Sequence, residues 1–192
     1  MNAARDLSDE ALLRHYAEGD QQAASLLTAR LLPKVYRHAC RVLGDGTEAE
    51  DVAQEAMVRL WRAAPEWRFG EARISTWAYK VTANLCTDRL RRRRGVAMDE
   101  IPEPLDTSPG VETRLQRQSR DLALQDALAR LPERQRQAVV LRHLDGLSNP
   151  AIAEIMEISA RAVESLTARG KRALAEMLMA RREELGFQND TE

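Results

Sequence analysis

The sequence predicts an all-α protein of two small helical domains joined by an acidic, proline-rich linker, and three observations support that expectation. Ala, Leu, Arg and Glu are abundant while only 4% of the 192 residues are aromatic, a composition that favours helix. Apolar residues recur at helical spacing between capping and stop signals. Residues 96–112, VAMDEIPEPLDTSPGVE, hold three prolines, one glycine and five acids with no basic residue, so they can neither sustain a helix nor pack a core. The chain therefore divides into a domain at 1–95, a linker at 96–112 and a domain at 113–192.

Ser8 is placed to cap a first helix, and a longer amphipathic helix should start after Asp20, kink at Pro33 and end at Gly44. TEAE at 47–50 has capping-box spacing, Thr47 to Glu50, and opens a third helix. At about 100° per residue, Val52, Ala53, Ala56, Met57, Leu60 and Ala64 share one side of it. Asp51, Gln54, Glu55 and Arg62 share the other, which by itself reads as a solvated face. After a turn at Gly70, Ser75 or Thr76 should cap a helix running from Trp77 into RLRRRR. On that helix Lys80, Asn84, Thr87 and Arg91 form a polar stripe, flanked by Val81 and Leu85 on one side and Tyr79, Ala83, Cys86 and Leu90 on the other. Both flanks are expected to pack, leaving the stripe as an open edge.

Beyond the linker four helices are expected. Pro132 marks a first turn, Gly146 a helix end, Asn149 with Pro150 a cap and first turn, and Ser159 another cap. A short helix, the turn MEIS and a longer basic helix have helix-turn-helix spacing. On the last helix Val163, Leu166, Gly170, Ala173, Leu174 and Met177 face inward. Ser159, Arg161, Glu164, Ser165, Ala168, Arg169, Lys171 and Arg172 mark the side that could enter a major groove, where Arg reads guanine and Glu accepts from cytosine. Glu157 stands where this turn needs a left-handed residue, a conformation costing a side chain about 1 kcal/mol.

A formal net charge of -1 conceals segregation: residues 61–95 carry nine basic and three acidic groups. Five of the eight aromatic residues, Trp61, Trp67, Phe69, Trp77 and Tyr79, lie in this segment. They are interleaved with Arg62, Arg68, Arg73 and Lys80. Rings beside cations suit unpaired bases and their phosphates, although Trp61 and Tyr79 read as core and only Trp77 borders the stripe. No run approaches the ~18 apolar residues of a membrane span, and MNAARDLSDE is neither a signal nor a transit sequence. A cytoplasmic protein without membrane insertion is expected. Cys40 and Cys86 have no metal or disulfide pattern, and His15, His38 and His143 have no motif partners. Nothing matches a P-loop, HExxH or GxSxG signature, so no catalytic residue, metal or cofactor is expected.

EAEDVAQEAMVRLWR, FGEARISTWAYKVTANLCTDRLRRRR and LPERQRQAVVLRHLDGLSNPAIAEIMEISARAVESLTARGKRAL resemble, in order, regions 2 and 4 of an extracytoplasmic-function (ECF, group 4) RNA polymerase sigma factor of the sigma-70 family. The resemblance implies that Asp51, Gln54 and Glu55 meet the β′ clamp helices of RNA polymerase core, with the β flap as a further contact. It implies capture of the minus-ten strand by the segment 68–84 and reading of the minus-35 element by the helix from Ser159. An anti-sigma factor is a further implied partner. On the minus-ten surface the named residues are Arg68, Arg73, Trp77, Lys80, Asn84 and Arg91, with Arg92, Arg93 and Arg94 on upstream duplex phosphates. Ile74, Ala78, Ala151 and Glu157 depart from residues common in the family, which has Phe, Leu, Glu and Gly there. The rival expectation is a stand-alone helix-turn-helix regulator with a helical sensor or dimerisation domain; it leaves the Trp and Arg cluster unexplained.

Overall fold

The computed structural model describes residues 7–70, 73–96 and 112–181. Among them are eight α-helices: α1 (Asp9–Ala17), α2 (Gln21–Leu43), α3 (Gly46–Ala63), α4 (Ile74–Val96), α5 (Glu112–Arg130), α6 (Glu133–Val139), α7 (Asn149–Met156) and α8 (Ala160–Met179). A 3₁₀ turn, Ala64–Glu66, follows α3, and a π-helical turn, Val140–Leu144, prolongs α6. The expected linker lies outside the described residues except for its two end positions, Val96 in α4 and Glu112 in α5.

Local chemistry sets most boundaries. Ser8 Oγ accepts from Ala11 N at 3.1 Å, and the Asp20 carboxylate accepts from Gln22 N at 2.8 Å, as N-caps do. Helix α2 runs on through Pro33 and ends at Gly44, whose φ of 72° is left-handed. Three starts differ from expectation. Asp45, not Thr47, caps α3 by accepting from Glu48 N at 2.8 Å; a carboxylate right behind the Gly44 stop reaches the free amides first. Ser148 rather than Asn149 caps α7. Helix α4 begins at Ile74, so Ser75 and Thr76 lie in its first turn, where fully buried Ile74 anchors it to the core.

The inner face of α3 packs as its pattern requires, with Val52, Ala53, Ala56, Met57, Leu60 and Ala64 all buried. Leu12, Leu13, Leu27, Leu31, Met57 and Leu60 form one core among α1, α2 and α3. A second core crosses the chain: Val42 and Leu43 of α2, Val52 of α3 and Cys86 of α4 pack with Leu128 of α5 and Val139 and Leu174 farther on. A third joins Tyr79 and Ala83 of α4 to Leu141, Ile152, Ile155, Met156 and Val163. The amino- and carboxyl-terminal helices are thus docked on one another.

The carboxyl end of α2 is the meeting point. A helix leaves its last four carbonyls without partners and carries partial negative charge there. Gln125 of α5 donates to Cys40 O and Arg41 O, each at 3.2 Å. Arg136 of α6 donates to Val42 O at 2.7 Å, and Arg93 of α4 to Leu43 O at 2.9 Å. Arg136 also holds Ala129 O at 2.6 Å. Nearby, the Asp145 carboxylate, only 4% exposed, receives His38 Nδ1 at 2.7 Å and Arg41 Nη1 at 3.1 Å.

Candidate nucleic-acid interface

The aromatic cluster is built as inclined ring pairs, one of them at the entrance to α4. Trp67 meets Trp77 edge to face with centroids 5.6 Å apart, and Trp61 tilts against Tyr16 at 4.7 Å. Both pairs flank the first core. Phe69 is exposed with the Arg14 guanidinium 4.6 Å above its ring, a cation–π contact. Trp77 is half-buried, and Arg68 and Arg73 are exposed close to it in sequence. Trp61 is packed as expected. Tyr79 is buried too, but against the carboxyl-terminal helices and the edge of His38, at 5.6 Å; burial pushes its phenol up to about 12.

The stripe on α4 is not the open edge that its flanks suggest. Lys80 Nζ is paired with Glu157 at 2.7 Å, and Thr87 Oγ1 accepts from Gln137 Nε2 at 2.8 Å. Gln137 also donates to Ala83 O at 3.1 Å. Asn84 and Arg91 remain exposed, Arg91 with Asp88 at 2.7 Å. The arginine run divides by partner. Arg92 is exposed, Arg93 is held by Glu48 at 3.0 Å as well as by Leu43 O, and Arg94 pairs with Glu133 of α6. Arg93 therefore ties α4 to α2 and α3.

The outer side of α3 is solvent-facing, with Asp51 near Arg89 at 3.4 Å, Gln54 donating to Glu50 at 3.2 Å and Glu55 paired with Arg59 at 2.9 Å. Exposed pairs of this kind contribute little to stability, so these side chains are available to a partner.

Helices α7 and α8 form the helix-turn-helix. Glu157 adopts φ 53° and ψ 47°, the left-handed turn, and Ser159 Oγ caps α8 by accepting from Ala162 N at 3.2 Å. Val163, Gly170 and Leu174 are buried, whereas Arg161, Glu164, Ser165, Ala168, Arg169, Lys171 and Arg172 are all exposed. A Cβ on Gly170 would lie 2.6 Å from Val139 Cγ2, so only glycine lets α8 approach α6 this closely. The exposed row is a charged, short-chained surface of the kind that reads a major groove.

The residues that sequence reasoning missed are those joining the two halves: His38, Arg41, Gln125, Gln137 and Asp145. His38 and Asp145 are 107 positions apart, and no local motif signals such a pair.

Comparison with known proteins agrees with this geometry. The sigma-70 region 2 family matches residues 27–96, and the sigma-70 region 4 family matches residues 121–174. The ECF RNA polymerase sigma factor SigM of Mycobacterium tuberculosis is 32% identical over 174 residues, covering 89% of this chain and 85% of SigM. The chain belongs to the ECF sigma factor family. The ECF sigma-E factor of Escherichia coli is 31% identical over 183 residues, with 89% and 94% of the two chains covered. This sigma factor also shares its fold with CnrH, solved in complex with the cytosolic domain of CnrY, at a TM-score of 0.68 and 24% identity over 90% of this chain and 97% of CnrH. RpoE of Bartonella quintana, solved with the anti-sigma factor NepR, matches at a TM-score of 0.63 and 21% identity, over 79% and 94%. In this sigma factor, most of α2 with all of α3 and α4 falls in the region 2 match, and α6, α7 and most of α8 in the region 4 match.

Proposed function

We propose that this ECF sigma factor directs RNA polymerase core to specific promoters and helps to open the minus-ten element, so that transcription of a signal-responsive regulon begins. The observation that carries the reading is the presence in one chain of a ring-and-cation entrance on α4 and an exposed helix-turn-helix face on α8. The first suits bases pulled from the stack, each stacked base contributing about 1–3 kcal/mol; the second suits intact duplex. Nothing in the chain has to break a covalent bond, and we assign it no enzymatic activity.

The domain division is 1–95, 96–112 and 113–192. Asp51, Gln54 and Glu55 face the β′ clamp helices, with the β flap as a second contact. Arg68, Arg73, Trp77, Lys80, Asn84 and Arg91 take the minus-ten strand, and Arg92, Arg93 and Arg94 the upstream phosphates. Ser159, Arg161, Glu164, Ser165, Ala168, Arg169, Lys171 and Arg172 read the minus-35 element. An anti-sigma factor is proposed as a regulator, supported by the RpoE–NepR complex on the same fold. The cytoplasm is the proposed location; among the described residues no helix is long and apolar enough to cross a membrane.

Run-off transcription with core polymerase and a library of upstream sequences tests the reading, and initiation at defined start sites is the expected result. Replacing both Lys80 and Arg91 with Ala should lower permanganate reactivity of promoter thymines while core binding stays near wild type. Unchanged reactivity would remove these two residues from the strand's path.

A further inference from the structure

The two DNA-facing surfaces differ in access. The outer row of α8 is exposed from Arg161 to Arg172. On α4, by contrast, Lys80 is held by Glu157, Thr87 by Gln137, and Tyr79 and Ala83 are buried beneath α7 and its neighbours. A cleft at the start of α4 has Arg73, Ser75 and Thr76 on one wall and Ser148, Pro150 and Glu154 on the other. A strand passing there would bring its phosphates toward the Glu10 and Glu154 carboxylates.

Glu157 is the telling residue. Its backbone is left-handed, the conformation that glycine adopts without strain, and among the described residues it alone other than glycine has positive φ. Its side chain nevertheless reaches Lys80, and that contact holds its carboxyl below the usual carboxylate range, first through the hydrogen bond and then through the charge. An anionic oxygen on a lysine ammonium is the chemistry that a backbone phosphate would offer.

We propose that the closed chain is autoinhibited for strand capture, with Glu157 occupying Lys80 in place of a DNA phosphate and α6 and α7 covering α4 until the two halves part. This rests on the reading of Lys80 as a strand contact. The duplex-reading row on α8 stays accessible throughout. Asp145, gripped by His38 and Arg41, is the polar catch whose release lets the halves separate, and buried polar contacts are better attested in such registry roles than as sources of stability.

The test is binding of a fluorescent, random-sequence single strand to the full chain, read by anisotropy, alongside small-angle scattering and thermal melting. Glu157→Gly and Glu157→Gln should each raise strand affinity about two- to fivefold, the effect of losing one exposed ion pair. Glu157→Gly should melt no lower than wild type, because it relieves the left-handed strain. A purely structural role would move melting alone. Adding Lys80→Ala to Glu157→Gly should abolish the gain. The double variant Asp145→Asn with Gln137→Ala should increase the radius of gyration and raise affinity tenfold or more. Unchanged strand affinity in both Glu157 variants, or an enlarged double variant that binds no better, overturns the proposal. Wild-type run-off transcription separates the two failures: initiation with unchanged affinities sinks the autoinhibition alone, whereas no initiation sinks the sigma factor reading beneath it.

Discussion

The thiol of Cys86 lies fully buried in the core shared by both halves, and burial pushes it up to about 12. Tyr79 is raised to about 12 by the same cause, with the nearby Asp145 charge adding to it. Both groups are neutral when protonated, so the folded state retains protons that the unfolded chain would release. Their contribution is fully present below the unfolded values of 9.0 and 10.0 and is lost as pH rises through about 12. Melting temperature should therefore decline from about pH 9 upward, and less steeply in Cys86→Ala. Iodoacetamide at about pH 8, where a free thiol reacts readily, should leave Cys86 unmodified until denaturant is added. The burial of Cys86 and Tyr79 was legible from their place on a flank of the helix wheel that had to pack, but their partners across the chain were not, and His38 looked solitary.

At the scale of elements, the period of the apolar residues carried most of the information. All six residues expected inside α3 are buried, and the whole expected outer row of α8 is exposed. Starts were less legible, because Asp45 and Thr47, or Ser148 and Asn149, are rival caps within two positions and the backbone decides between them. Contacts between elements left no trace in the periodicity, so the α4 stripe looked open although Lys80 and Thr87 are engaged from afar. Two substitutions probe these junctions. Gly170→Ala would force Val139 and the Gln135 carbonyl to give way, and despite alanine's better helix propensity should cost about 1–3 kcal/mol in denaturant unfolding. Arg136→Met would strip the charged donor from Val42 O and Ala129 O. With charge-assisted hydrogen bonds contributing about 1.5–3 kcal/mol each, the loss should be about 3 kcal/mol or more by the same measurement.

Across the whole molecule, the second and third cores draw on helices from both ends of the chain. Calorimetry should accordingly show one cooperative transition rather than two, and a fragment ending at residue 96 should melt lower than the full chain and bind a hydrophobic dye. The π-helical turn at Val140–Leu144 fixes how these ends meet. Asp145 N bonds back to Val140 O at 2.9 Å, closing a wide turn that carries the Asp145 side chain to His38 and Arg41. Wide turns of this kind hold one residue more than a regular helix would. Winding the same residues as regular helix would instead carry the carboxylate about 100° farther around the axis, away from both His38 and Arg41. The surplus residue in this stretch is consequently what aims one carboxylate at the opposite end of the chain.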